Sequence, residues 1–145
     1  MQGEPVVILL VEDDQAHAEI VKRNLEDFRV ANHLEHVSDG QAALDYLRGQ
    51  GAWKGCHAPR PHVILLDLRL PKIDGLEVLR IIKSDINLSS IPVVVLTTSD
   101  AEADMARAYE SHVNSYLVKP LDLDQFVSLI RSLGYYWLAW NKHPR

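Results

Sequence analysis

Hydrophobic positions along this chain fall into two kinds of segment. Short apolar runs rich in β-branched residues occupy 6–11, 63–66 and 93–96, and a shorter run occupies 115–118. The first three contain almost no polar residue, which is typical of strands that are covered on both faces of a sheet. The segment 32–37 is a weaker strand, with Leu34 and Val37 as its apolar anchors.

Between these runs, apolar residues recur at intervals of three and four, as on one face of a helix. The stripes with this spacing are Ala18, Val21, Leu25 and Phe28; Gly75, Leu79, Ile82 and Ile86; Met105, Ala108 and His112; and Phe126, Ile130, Leu133 and Trp137. A short helix is predicted over 41–48, with Leu44 and Leu47 facing inward. Aspartates suited to N-capping precede the predicted helices at Asp14, Asp39, Asp74, Asp100 and Asp122.

The elements therefore alternate as (βα)5. This order predicts a doubly wound α/β fold, in which helices cover both faces of a five-stranded parallel sheet. The length of 145 residues suits one domain over 1–145. Two segments exceed the alternating pattern. The loop 49–61 is expected to be an exposed arm or a cover over one sheet edge, and 134–145 forms an aromatic C-terminal extension.

Composition narrows the functional classes. The net charge of −5, from 15 basic and 20 acidic residues, gives no electrostatic case for binding nucleic acid or an anionic membrane surface. Neither a signal peptide nor an apolar run of membrane-spanning length is visible. The single cysteine, Cys56, cannot form an internal disulfide, so the expected location is the reducing cytoplasm.

Residues suited to binding metal and phosphate stand where the predicted strands end. The residues that end or follow these strands are Glu12, Asp13 and Asp14 for the first, Asp67 for the third, Thr97 for the fourth, and Lys119 and Pro120 for the fifth. Because ligands of such folds sit beyond the carboxyl ends of the strands, we expect these side chains to converge at one edge of the sheet. Crowded carboxylates repel one another, and a hard divalent cation such as Mg²⁺ removes that conflict.

Asp67 is the best-placed nucleophile, since a carboxylate fixed at a strand end can attack phosphorus and form an acyl phosphate. Phosphoryl transfer depends mainly on positioning and on neutralising charge. Lys119 would supply an ammonium group to one phosphoryl oxygen, and Thr97 would donate a hydroxyl hydrogen bond once the phosphoryl group is attached.

These residues, together with the segments 9–14 (LLVEDD) and 66–75 (LDLRLPKIDG), resemble the receiver domain of two-component response regulators. The resemblance runs from about residue 6 to residue 133 and implies a flavodoxin-like strand order, 2-1-3-4-5. It identifies Asp67 as the phosphoacceptor. It also implies Mg²⁺ or Mn²⁺ bound by Asp13, Asp67 and the carbonyl oxygen of Arg69, with Glu12 acting mainly through water.

The resemblance implies a switch and its partners as well. The Lys119–Pro120 peptide would be cis. Thr97 would move toward the phosphoryl group and Tyr116 would turn inward behind it, which changes the surface of the fourth helix, fifth strand and fifth helix. A sensor histidine kinase would donate the phosphoryl group, and the signal would pass to an unidentified downstream protein or a phosphotransfer protein.

A narrower resemblance concerns the segments 97–99 (TTS) and 112–116 (HVNSY), the loop 49–61 and the aromatic cluster 135–140 (YYWLAW). Together they resemble the small regulators that are paired with bacterial phytochrome kinases. The aromatic cluster could complete the last helix against the core, but a homodimer contact is favoured because contiguous exposed aromatic residues usually mark an interface.

Several polar and aromatic residues allow a second interpretation. Asp14 is better interpreted as an N-cap than as a metal ligand. Tyr116 could simply fill the core. Cys56, His57 and His62 invite a zinc site, but their spacing is irregular and a fourth ligand is lacking, so an incidental loop is favoured.

Two further functional classes stay open. An aspartate-nucleophile phosphatase of the haloacid dehalogenase type would need a second aspartate two residues after the nucleophile, where this chain has Arg69. A non-phosphorylated interaction module with the same fold predicts loss of the key site residues, all of which are present. We therefore expect a signalling phosphoacceptor and not an enzyme that turns over a separate substrate.

Overall fold

The computed structural model describes residues 6–26, 32–55, 58–97 and 115–118, and the single residues 125 and 128. Within these ranges lie five strands, three α-helices and one 3₁₀ turn. Several predictions fall outside the described residues. They are the helical position Phe28, the stripes that begin at Met105 and Phe126, and the capping residues Asp100 and Asp122.

The five strands form one parallel sheet. They are β1 (Val6–Val11), β2 (Asn32–Val37), β3 (Val63–Asp67), β4 (Val93–Thr97) and β5 (Ser115–Val118). Their order is β2-β1-β3-β4-β5, and every neighbouring pair is parallel. The predicted fold class and strand order are therefore confirmed.

Both faces of this sheet are covered. Successive side chains of a strand point to opposite faces, and the neighbours Leu9 and Leu10 are both fully buried. All five residues of β3 are buried as well. This double coverage explains why these strands consist of unbroken apolar runs and do not alternate with polar residues.

The described connections between strands contain three α-helices: α1 (Gln15–Glu26), α2 (Gly40–Arg48) and α3 (Gly75–Ser84). Each begins after a predicted aspartate cap, whose carboxylate accepts hydrogen bonds from backbone N–H groups of the first turn. Asp14 accepts from Ala16, Asp39 from Ala42 and Asp74 from Leu76, at 2.7 to 2.9 Å. Among the described residues, no helix has both the length and the apolar character needed to cross a membrane.

The predicted stripe on α3 is wrong at its last position. The helix ends at Ser84, and Ile86 lies beyond it with 90% of its surface exposed. The cause is the turn chemistry of Asp85. Its backbone N–H donates to the Ile82 carbonyl oxygen at 3.3 Å, and its carboxylate accepts from the backbone N–H of Asn87 at 2.7 Å. Such a local side-chain bond competes with helix continuation.

The segment 49–61 is described at 49–55 and 58–61, and it packs against α2. Its 3₁₀ turn (Gly51–Trp53) places the Trp53 ring nearly at right angles to Tyr46, with ring centroids 5.4 Å apart. The Tyr46 hydroxyl donates to the Pro59 carbonyl oxygen at 2.8 Å. At the end nearer β3, the Arg60 guanidinium donates to the Asn87 carbonyl oxygen at 2.8 Å. The described part of the segment is thus tied to both α2 and the α3–β4 connection.

Candidate functional site

Three carboxylates meet at the carboxyl ends of the two strands β1 and β3. Glu12 and Asp13 directly follow β1, and Asp67 is the last residue of β3. The register pairs Val11 with Leu66, so the two strands end side by side. One oxygen from each of the three carboxylates lies within 4.8 Å of the others. The convergence predicted from the sequence is therefore present for these three residues.

The three carboxylates differ in burial and in how they are held. Glu12 is 1% exposed and Asp67 is 7% exposed, whereas Asp13 is exposed. A Glu12 carboxylate oxygen accepts the backbone N–H of Asp14 at 3.2 Å. An Asp67 carboxylate oxygen accepts the backbone N–H of Arg69 at 3.1 Å. Both buried side chains are thus oriented by the loops that follow their strands.

This donor set fits a hard divalent cation. Charged oxygens are the ligands that Mg²⁺ and Mn²⁺ prefer, and a cation relieves the repulsion among three crowded carboxylates. Within the described part of the chain, this is the single group of three or more acidic, histidine or cysteine side chains close enough to share a metal ion. Asp14, by contrast, uses its carboxylate to cap α1, as predicted.

The zinc alternative receives no support from the described residues. His62 Nδ1 accepts the backbone N–H of Val7 at 2.9 Å, at the opposite end of the sheet from the carboxylates. Cys56 and His57 lie outside the described residues.

The loop 68–74, which connects β3 to α3, borders the carboxylates. Together with Asp13 and Leu76, it lines an open groove of about 490 Å³. Its first residue, Leu68, donates its N–H to the Leu96 carbonyl oxygen at 3.2 Å. This bond fixes the start of the loop, one residue before the Arg69 carbonyl that the resemblance assigns to the metal.

The remaining predicted site residues belong to β4, β5 and the chain beyond. Thr97 is the last residue of β4 and is paired with Val118, the last residue of β5, so the backbone of both strands ends at the edge where Asp67 lies. Tyr116 lies within β5, where it is paired with Val95. Lys119 and Pro120, with their predicted cis peptide, lie outside the described residues.

Two features of the site were missed by sequence reasoning. His36 Nε2 donates to the Glu12 carbonyl oxygen at 2.7 Å, which ties β2 to the acidic edge. Gly40 and Gly75 bring two helix starts against the backbone of the loop 68–74. The glycines at these helix starts were visible in the sequence, but nothing in the local pattern indicated which backbone they would approach.

Comparison with known proteins settles the family. Residues 8–131 match the model of the response regulator receiver domain, which is most of the chain. The chain belongs to the response regulator receiver family.

This receiver domain has relatives of similar length. It is 48% identical over 141 residues to the probable methanogenesis regulatory protein FilR2 of Methanothrix harundinacea, covering 97% of this chain and 89% of that protein. It is 45% identical over 134 residues to the response regulator Rcp1 of Synechocystis, covering 92% and 90%.

Solved structures give the same assignment. The Mn²⁺-bound form of Rcp1 aligns with a TM-score of 0.85 and 45% identity, covering 92% of this receiver and 95% of that chain. The phosphorylated cyanobacterial phytochrome response regulator RcpA aligns with a TM-score of 0.86 and 42% identity, covering 94% and 96%. The predicted receiver family and the resemblance to phytochrome response regulators are thereby confirmed.

Proposed function

We propose that this receiver is a single-domain response regulator that accepts a phosphoryl group on Asp67 in the presence of Mg²⁺ or Mn²⁺. The observation that carries the proposal is the meeting of Glu12, Asp13 and Asp67 within 4.8 Å. The Mn²⁺-bound and phosphorylated states of the similar proteins Rcp1 and RcpA support it. On this view the protein is a switch whose chemistry is limited to gaining and losing its own phosphoryl group.

Different residues of the chain would have different roles in metal binding and in phosphoryl transfer. Asp13, Asp67 and the Arg69 carbonyl oxygen would hold the cation directly, and the buried Glu12 would act mainly through water. When bound there, a divalent cation would supply positive charge to the phosphoryl oxygens and to the acidic residues themselves. The hydrogen bond from the Arg69 N–H to one Asp67 oxygen, at 3.1 Å, orients the carboxylate so that its other oxygen can act as the nucleophile.

The transfer itself exchanges one bond for another. An Asp67 carboxylate oxygen forms a bond to phosphorus while the bond from phosphorus to the imidazole nitrogen of a phosphohistidine breaks. The electron pair of the broken bond stays on the imidazole, which becomes neutral by taking up a proton. Lys119 would pair with a phosphoryl oxygen and Thr97 would donate a hydrogen bond to another.

The same proposal assigns a switch and its partners. Thr97 and Tyr116 would couple the phosphoryl group to the surface of the fourth helix, β5 and the fifth helix, with a cis peptide between Lys119 and Pro120. The donor would be a cytoplasmic sensor histidine kinase, and the similarity to RcpA favours a bacterial phytochrome. The output would be a downstream protein or a phosphotransfer protein, and residues 134–145 would provide a homodimer contact.

The test is phosphorylation by a small donor. With acetyl phosphate and Mg²⁺, we expect the intact protein to gain the mass of one phosphoryl group, and Asp67→Asn to gain none. Asp45→Asn is the matched control, because the Asp45 carboxylate accepts a bond from Gln41 and lies beside Gly51, and it does not belong to the cluster of Glu12, Asp13 and Asp67. Asp45→Asn should behave as the wild type. A gain that persists in Asp67→Asn, or no gain in the wild type, would contradict the proposal.

A further inference from the structure

The loop 68–74 closely approaches the first residues of two helices, α2 and α3, and both of these residues are glycines. Gly40 is the first residue of α2, and its N–H donates to the Pro71 carbonyl oxygen at 3.3 Å. A Cβ atom at Gly40 would overlap the carbonyl oxygen of Ile73 and lie 2.8 Å from its carbonyl carbon. The neighbour is backbone, so it cannot yield by a simple change of rotamer. The loop can approach α2 this closely because position 40 has no side chain.

The second contact lies at the other end of the loop. Gly75 is the first residue of α3, and its N–H donates to the Leu68 carbonyl oxygen at 2.9 Å. A Cβ atom at Gly75 would overlap the Asp67 carbonyl oxygen and lie 2.9 Å from the Leu68 carbonyl carbon. This glycine therefore fixes the peptide that directly follows the proposed phosphoacceptor.

The loop between these contacts carries a strained residue. Lys72 has φ of 70°, in the left-handed region that a non-glycine residue adopts at a cost of about 1 kcal/mol or more. Its Nζ lies 3.6 Å from an Asp39 carboxylate oxygen, but the Lys72 side chain is 67% exposed, so this ion pair adds little. The backbone contacts of Gly40 and Gly75 therefore restrain the loop at two places, in addition to the bond from the Leu68 N–H to the Leu96 carbonyl oxygen.

We infer that Gly40 and Gly75 are positioning residues that set where the Arg69 carbonyl oxygen lies relative to Asp67. Arg69 lies between Leu68, held by Gly75, and Pro71, held by Gly40. This inference rests on the proposed function, in which that carbonyl is a metal ligand. Groups that orient a ligand without binding the metal typically change metal affinity 10- to 100-fold when they are altered.

The test compares Mn²⁺ affinity, measured by calorimetry, among variants that keep every metal ligand. Gly40→Ala should weaken Mn²⁺ binding about tenfold or more. In the metal-free protein, the same variant should speed amide exchange within 68–74. Gly75→Ala should act in the same direction and is the independent variant if Gly40→Ala does not fold. The electron paramagnetic resonance spectrum of bound Mn²⁺ should change as the ligand moves.

Two controls separate positioning from general destabilisation. Val63→Ala removes buried methyl groups at the far end of β3, and should lower stability while leaving Mn²⁺ affinity unchanged. Asp39→Asn removes the ion pair but keeps a good N-cap, and should leave affinity within about twofold. Equal losses of affinity in Gly40→Ala and Val63→Ala, or no loss in either glycine variant, would overturn the inference. Failure of the wild type to bind Mn²⁺ would instead overturn the proposed function beneath it.

Discussion

At the scale of single residues, Asp13 differs from its two carboxylate neighbours. Glu12 and Asp67 are buried and each accepts a backbone hydrogen bond, so changing either one disturbs packing as well as charge. Asp13 is exposed. Neutralising Asp13 is therefore the cleanest way to ask what the charge of the cluster does by itself.

We expect Asp13→Asn to stabilise the metal-free protein and to weaken its metal binding. One of three crowded negative charges is removed while the shape of the side chain is kept, which should raise the free energy of unfolding by about 1 kcal/mol. Thermal denaturation in a metal chelator, with and without excess Mn²⁺, measures both effects. The melting temperature should rise in chelator, and the further rise that Mn²⁺ gives the wild type should shrink.

The reverse pattern would count against a shared acidic site. An Asp13→Asn protein that is less stable than the wild type in chelator would show that Asp13 makes a favourable contact and not a repulsive one. Asp45→Asn again serves as the control, because it removes one negative charge from a carboxylate that is bonded to Gln41 and does not belong to the cluster. This variant should change the free energy of unfolding of the metal-free protein by no more than about 0.5 kcal/mol. It should also leave unchanged the rise in melting temperature that Mn²⁺ causes.

At the scale of elements, sequence pattern was sufficient wherever local chemistry decides the structure. Four strands lie where the apolar runs predict them, β2 lies at the weaker segment 32–37, and Asp14, Asp39 and Asp74 cap the helices as expected. The pattern misled at Ile86, because apolar spacing cannot show that the Asp85 carboxylate will turn the chain first.

For the candidate site too, the sequence predicts some of the contacts and misses others. Strand ends predict which residues reach the acidic edge, because parallel topology alone brings them there. The contacts of His36 with Glu12, and of Gly40 with the loop 68–74, join segments that are far apart in sequence. Such contacts depend on the packing of α2 and β2 against β1 and β3, which no local spacing encodes.

The hydrogen bond from Tyr46 on α2 to Pro59 in the segment 49–61 predicts how the stability of the protein depends on pH. Tyr46 is 3% exposed, and burial, reinforced by the charge of Glu35, raises the pKa of Tyr46 to about 12 from 10.0. The neutral hydroxyl therefore contributes stability that is fully present below pH 10 and is lost as the pH rises through 12. Tyr46→Phe should lose about 1 kcal/mol near neutral pH, since the bond to Pro59 is removed.

Urea denaturation of both proteins between about pH 8 and about pH 12 tests this prediction. Additional groups titrate in that range, but they are common to the wild type and to Tyr46→Phe. The wild type should lose stability more steeply than the variant, so that the difference between them narrows as the pH rises. A constant difference across the range would show that Tyr46 releases its proton at its ordinary pKa, and that the hydroxyl is not confined as described.

At the scale of the whole molecule, the acidic cluster lies at the carboxyl ends of two adjacent strands in the interior of the sheet, β1 and β3. β3 is central in the order β2-β1-β3-β4-β5, and β1 is its neighbour. A cation held by Asp13 and Asp67 would join these strands at their carboxyl ends. Because the native sheet is needed to bring the carboxylates together, such a cation would bind the folded state and not the unfolded chain, and would therefore stabilise the molecule as a whole.

The consequence is a specific pattern of amide exchange. With Mg²⁺ at about 100 times its dissociation constant, the free energy of unfolding should rise by about 2.7 kcal/mol. Amides that exchange only through global unfolding, such as those of Leu9 and Leu66 in the buried strands, should then exchange about 100 times more slowly. Exchange followed by mass spectrometry measures this, with Asp67→Asn as the control that should show no slowing. Slowing confined to residues 12–14 and 67–75 would mean that the cation only orders its own loops, because a ligand of the native state must protect the most stable strands by the same factor.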